Sequence, residues 1–190
     1  MFDVITRFSS ARILVVDDSV FERRLISLAL KKSGFIHIET ADDGVEAVNK
    51  TRQFMPDMVL LDLNMPNLDG FGYCEMVRND STLPRMPIIV QTAQEDRQSR
   101  LHALACGADD YLTKPLDMDE LSLRLCLHIE RYFMLRDLQD MCSYLRMEVE
   151  NGKLLRDIVR DSGGAFPEVQ ASMDRHYEVL EQMIRLPAVG

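Results

Sequence analysis

Asp17 and Asp18 follow a short aliphatic, β-branched run, Arg12–Val16, and Asp62 follows another, Met58–Leu61. Such runs read as buried strands, and open parallel sheets bind their ligands at the carboxyl ends of the strands. If strand one lies beside strand three, three carboxylates share one rim. They repel one another strongly unless a cation lies among them. An all-oxygen donor set with water to spare suits Mg²⁺. Either Asp17 or Asp18 alone would read as a helix cap, but the same residue type at the ends of two adjacent strands asks for more. Thr92 ends a fourth apolar run and Lys114 follows a fifth, bringing a hydroxyl and an ammonium to the same edge. Pro115 makes Lys114–Pro115 a candidate cis peptide bond, which would aim the lysine inward. A carboxylate beside Mg²⁺ is a nucleophile toward phosphorus and gives an acyl phosphate. The metal and the lysine would neutralise charge on the transferring group.

The elements that must position these residues alternate along the chain. Strands are expected at Arg12–Val16, Phe35–Glu39, Met58–Leu61, Pro87–Val90 and Ala108–Leu112. Helices are expected from the Ser19/Glu22 capping box to Gly34, over Asp43–Phe54 up to Pro56, over Phe71–Arg78, over Glu95–Cys106 up to Gly107, and from about Asp117 onward. Apolar strands alternating with helices imply an α/β fold, a five-stranded doubly wound parallel sheet covered on both faces.

The remainder has no strand signal. Leu121, Leu125, His128, Tyr132 and Leu135, then Leu138, Cys142, Leu145 and Val149, form a heptad-like seam with one irregular step. Leu154, Leu155, Ile158 and Val159 extend the helix past Asn151-Gly152. Asp161–Gly164 breaks it, and Val169, Met173, Tyr177, Leu180 and Ile184 share a face in a second helical stretch. The expected organisation is an N-terminal flap at 1–10, whose Phe2, Ile5 and Phe8 share one face, a folded domain at 11–131, a coiled-coil-like helical extension at 132–160, and a loop with a terminal helix at 161–190.

The 190 residues carry 22 Lys plus Arg against 31 Asp plus Glu, a formal net charge of −9. That balance weighs against nucleic-acid binding through phosphate neutralisation. No apolar run has the length of a membrane span. Cys74, Cys106, Cys126 and Cys142 lack metal-ligand spacing and read as reduced thiols of a cytoplasmic protein. The stretch 62–70 begins like an EF-hand loop, but Asn67 and Tyr73 stand where such a loop needs Gly and Glu.

Four stretches, ILVVDDS (13–19), PDMVLLDLNMPNLDGF (56–71), PIIVQTA (87–93) and GADDYLTKPLD (107–117), closely resemble the receiver domain of two-component response regulators. The resemblance covers about residues 10–131. It implies that Asp62 accepts a phosphoryl group from a cognate histidine kinase or phosphotransfer protein. It implies that Asp18, Asp62 and the backbone carbonyl of Asn64 bind Mg²⁺, with Asp17 helping through water. Thr92 and Lys114 would contact the phosphoryl group. Tyr111 matches an aromatic switch position that turns inward as Thr92 moves, and Ala93 leaves room at the site. Asn64 and Gln94 flank the site and are expected to tune attack of water on the acyl phosphate. Kinase choice is expected on the surface around Phe21–Ala29.

The output is read from the tail. A heptad-like helix leaving the last receiver helix is a natural dimerisation element, so a homodimer is expected, with an intramolecular helical hairpin as the alternative. The chain would then relay the switch to an effector not named by the sequence. Two other readings are a partner-binding adaptor and the regulatory part of a longer regulator with an enzymatic effector, such as a cyclic-di-GMP enzyme or a phosphatase. A DNA-binding regulator is weaker, since no helix-turn-helix pattern follows residue 131. Catalysis is expected only as self-phosphorylation and autodephosphorylation of the receiver.

Overall fold

The computed structural model describes residues 8–92 and 104–161, with residues 171, 174, 175, 178 and 179 of the C-terminal stretch. Phe2 and Ile5 of the flap, Ala93, Gln94, most of the expected helix at 95–106, and nearly all of the terminal loop and helix lie outside the described residues. The chain forms two compact units, residues 1–132 and 133–190.

The first unit is built on five parallel strands: β1 Arg12–Val16, β2 His37–Ala41, β3 Met58–Asp62, β4 Ile88–Thr92 and β5 Asp110–Thr113, in the order β2-β1-β3-β4-β5. The described helices are α1 Val20–Lys32, α2 Gly44–Phe54, α3 Gly70–Asn79 and α4 Met118–Asp161. The order steps outward from β1 in both directions, so strands one and three are neighbours, paired Ile13 to Met58 through Val16 to Leu61. The carboxyl ends that carry Asp17 and Asp62 are therefore side by side. This is the expected doubly wound α/β sheet with a C-terminal helix.

Three strands start later than the sequence suggests, each for a local reason. The apolar pair Phe35-Ile36 looks like the start of β2. However, the Phe35 N–H donates to Leu30 at the end of α1 and the Ile36 N–H donates to Ser9, so the ladder begins at His37. β5 begins at Asp110 because the Asp109 carboxylate takes the Ile88 N–H at 2.9 Å and the Arg78 guanidinium at 2.7 Å. Arg78 also donates to the carbonyls of Gly107 and Met86, fastening the turn before β5. β4 omits Pro87, which has no N–H for the ladder, and runs on through Gln91 and Thr92, both fully buried although polar.

Caps set the helix starts. Ser19, Asp43 and Asp69 each accept a backbone N–H of the first turn of α1, α2 and α3. Leu14, Val16, Val59, Leu61, Ile88 and Val90 pack against Ala47, Val48, Tyr73 and Val77 on the face covered by α2 and α3. In that layer the Tyr73 and Thr51 hydroxyls hydrogen-bond at 2.7 Å, and Thr51 also donates to Ala47, so two buried hydroxyls are satisfied. Leu121, Leu125 and Ile129 of α4 are buried, and Arg124 and His128 of the same stretch both reach the Asp110 carboxylate. The residues Leu121, Leu125, His128 and Tyr132, read from sequence as part of a seam, thus belong to the first unit, and Ile129 joins them. In the second unit Leu135 and Leu138 are exposed, whereas Val149 is buried.

Candidate functional site

The rim is built by chain reversals at strand ends. After Val16 the chain turns into α1, and the turn is held by the Ser19 N–H on Asp17 Oδ1 at 2.8 Å. After Asp62 the second half of the loop 63–69 is tied to the start of α2. Asn67, with φ 63°, donates through Nδ2 to Asp43 at 2.6 Å, and the Gly44 N–H donates to Leu68. Gly70 is required here: a Cβ would lie 2.4 Å from the Asp62 carbonyl oxygen, so only glycine lets α3 start against the end of β3.

Carboxylate oxygens of Asp17, Asp18 and Asp62 all lie within 4.8 Å of one another, with Asp17 and Asp62 buried and Asp18 exposed. Lys114 reaches across the sheet to this cluster. Its Nζ lies 2.7 Å from Asp17 Oδ2 and 2.7 Å from Asp62 Oδ2. The Lys114–Pro115 bond is cis, and the Lys114 N–H donates to the Thr92 carbonyl at 2.8 Å. Asn64 is exposed, and its N–H lies 3.2 Å from Asp62 Oδ1.

The electrostatics follow from burial. Burial pushes the Asp62 carboxyl above its ordinary value, outweighing the hydrogen bond and charge of Lys114 and the Asn64 N–H. For Lys114 burial opposes the charge, but the hydrogen bonds to Asp17 and Asp62 prevail and raise its pKa, so it stays an ammonium. Three carboxylates against one ammonium leave two negative charges uncompensated. An oxygen-only donor set with that surplus fits a hard divalent cation.

Thr92 is buried at the end of β4, and Tyr111 is half-buried against the core cluster of the α2/α3 face. Val90 pairs with Tyr111 and Thr92 with Thr113, so Thr92 and Tyr111 are diagonal neighbours on one face of the sheet. The rim thus brings together Asp17, Asp18, Asp62, Asn64, Thr92 and Lys114, with Tyr111 one step below.

Sequence reasoning missed two features. Arg23, one turn into α1, donates to the Asp17 backbone carbonyl. Gln91, the register partner of Asp62, is fully buried and has no hydrogen-bond partner among the described residues. The signal for Gln91 was a single amide ending an aliphatic run; Arg23 left none, since its role depends on the turn after β1.

A five-stranded parallel sheet with an acidic rim and a lysine at the last strand defines a class, and comparison with known proteins identifies it. The model of the response regulator receiver domain matches residues 13–125, so the chain belongs to that family. Among curated relatives, a probable transcriptional regulator ycf27 of Guillardia theta is 43% identical over 114 residues, 60% of this chain and 43% of its own length. The response regulator PleD of Caulobacter vibrioides is 41% identical over 108 residues, 57% of this chain and 24% of its own. The chain therefore spans less than half the length of these relatives. Among solved structures, a response regulator of Chloroflexus aurantiacus gives a TM-score of 0.61 at 30% identity, covering 64% of this chain and 98% of that one. The chemotaxis protein CheY4 of Vibrio cholerae gives 0.59 at 33%, covering 63% and 98%. Among the described residues no helix is long and apolar enough to cross a membrane.

Proposed function

We propose that this receiver accepts a phosphoryl group on Asp62 from a histidine kinase or phosphotransfer protein, with Mg²⁺ held by Asp18, Asp62 and the Asn64 carbonyl, and Asp17 acting through water. The observation that carries the reading is Lys114 Nζ, 2.7 Å from both Asp17 and Asp62, at the mouth of a three-carboxylate cluster. An Asp62 oxygen attacks phosphorus, a P–O bond forms and the donor's P–N bond breaks. The electron pair stays on the imidazole nitrogen, which takes a proton from water. Burial makes the Asp62 carboxylate more basic than a solvated one and so a better nucleophile. The cation supplies charge neutralisation at the phosphoryl oxygens. Lys114 supplies a second positive charge, and Thr92 a hydroxyl whose movement the half-buried Tyr111 follows. Asn64 and Gln94 are the candidates for setting the rate at which water removes the group.

The switch is relayed through α4. Exposed Leu135, Leu138 and Cys142 support a second copy of the chain as the partner of that helix, and a separate effector completes the output. A second reading comes from the relatives. They include a DNA-binding transcriptional regulator, RpaA of Synechocystis, 36% identical over 114 residues. The receiver then serves a DNA-binding output instead, against which the acidic composition weighs.

Incubation with acetyl phosphate and Mg²⁺ tests the first step. The wild type is expected to gain one phosphoryl group by intact mass and Asp62→Asn none; equal labelling of the two sinks the assignment. Sedimentation with and without beryllofluoride tests the relay. A monomer in both states removes the dimer reading, and steeply salt-dependent duplex DNA binding would favour the second.

A further inference from the structure

Helix α1 borders a second charged site that the acidic rim does not use. A pocket of about 460 Å³ opens between α1 and the edge strand β2, and Arg23, Arg24 and Lys31 line it. The chain as a whole carries a net charge of −9. Yet none of these three cations is ion-paired with a carboxylate among the described residues; the Arg23 guanidinium is bonded only to the Asp17 carbonyl. Three clustered like charges repel each other unless an anion joins them.

Two hydroxyls point to the same conclusion. Ser27 lines the pocket, and its Oγ is buried with no hydrogen-bond partner among the described residues. Buried polar atoms are nearly always paired, and an orphan marks a place where a partner is due. Thr40 lines the opposite wall; it pairs in register with Val15, a core residue. Guanidinium forks, an ammonium and hydroxyls are the donors that phosphate oxygens take. Val20 and Leu28 add apolar wall, and the volume lies in the range of small-ligand sites. A bare inorganic ion would leave that wall unused.

We propose that the α1–β2 pocket binds a small organic phosphate of mononucleotide size, its phosphate on Arg23, Arg24 and Lys31. This site is spatially separate from the Asp62 rim and needs no phosphoryl transfer to fill. It is linked to the rim through Arg23, because an anion that takes the guanidinium competes with the Asp17 carbonyl for it. By linkage, occupancy of the pocket and of the rim then alter each other's affinity.

The test titrates AMP into the full chain without divalent ions, followed by amide NMR shifts. Saturable shifts over Arg23–Lys31 and Thr40 are expected, while adenosine is expected to leave them unmoved. Arg24→Gln with Lys31→Gln should weaken AMP at least tenfold. Both side chains are exposed, so the melting temperature should hold, and that measurement separates lost binding from lost fold. Undiminished binding by the double variant overturns the proposal. So do equal binding of adenosine, shifts confined to Asp62 and Lys114, or no saturable shift at all.

Discussion

Helix α4 is one element in two environments. In residues 118–132 one apolar face is buried, with Leu125 and Ile129 at 0% exposure, while Leu123 and Leu127 on the other face stay open. In residues 133–161 most of them are open: Met134 is 64%, Leu138 53% and Met141 58% exposed. Both stretches show the same three-four spacing of apolar residues. Periodicity therefore reports that a face is meant to be covered, and says nothing of what covers it. In the first stretch the cover is the receiver's own core. In the second, Val149 alone among the described apolar residues is buried, and Leu154 beyond it is exposed again.

Three substitutions probe this contrast. The largest effect is expected at Leu125→Ala, which empties a fully buried site and should cost about 2–5 kcal/mol of unfolding free energy in urea melts. A cost below about 1 kcal/mol would break the contrast from the buried side. A middling effect is expected at Arg124→Ala, which removes one arm of the Arg124–Asp110–His128 clasp between α4 and β5. For this half-exposed pair a loss of up to about 1 kcal/mol is expected at neutral pH. The sign with pH is fixed by Asp110. Burial pushes its carboxyl up, but the bonds from His128 and Arg124 outweigh burial and hold it below the ordinary carboxylate value. Its contribution is therefore present above that ordinary value and is lost as pH falls through the lowered one. Melting temperatures of wild type and variant should converge in acid, and a gap unchanged down to the lowest pH would remove Asp110 as the cause. The smallest effect is expected at Leu138→Ala, under about 0.5 kcal/mol in dilute protein. A cost that grows with protein concentration would show that a second copy covers this face.

Much of the fold was legible because the strands carry their burial in their composition. Arg12–Val16 and Met58–Leu61 are apolar runs that only a two-sided sheet can hide. The rim was legible for the same reason, since a carboxylate directly after such a run has nowhere to go but the strand end. What stayed hidden depends on long-range geometry. Phe35-Ile36 looked like strand because nothing local says that the end of α1 and Ser9 take their N–H groups. The early seam looked like a coiled coil because a helix face against a sheet and one against another helix share a spacing. The site at α1–β2 was invisible because its cations are spread over α1 and its far wall is Thr40.

One contact described above bears on how the chain folds. Lys114 meets Asp17 across 97 residues of sequence and Asp62 across 52. Contacts of such separation are closed late, after the loop entropy between them has been overcome. The first strand, the third and the turn after the fifth must all be in place before the ammonium finds its two carboxylates. A chain stalled part-way, with strands one to three assembled, would hold clustered carboxylates without their counter-charge. The charge-balanced rim is thus a late product of assembly, and a half-folded chain holds its carboxylates without the ammonium that offsets them.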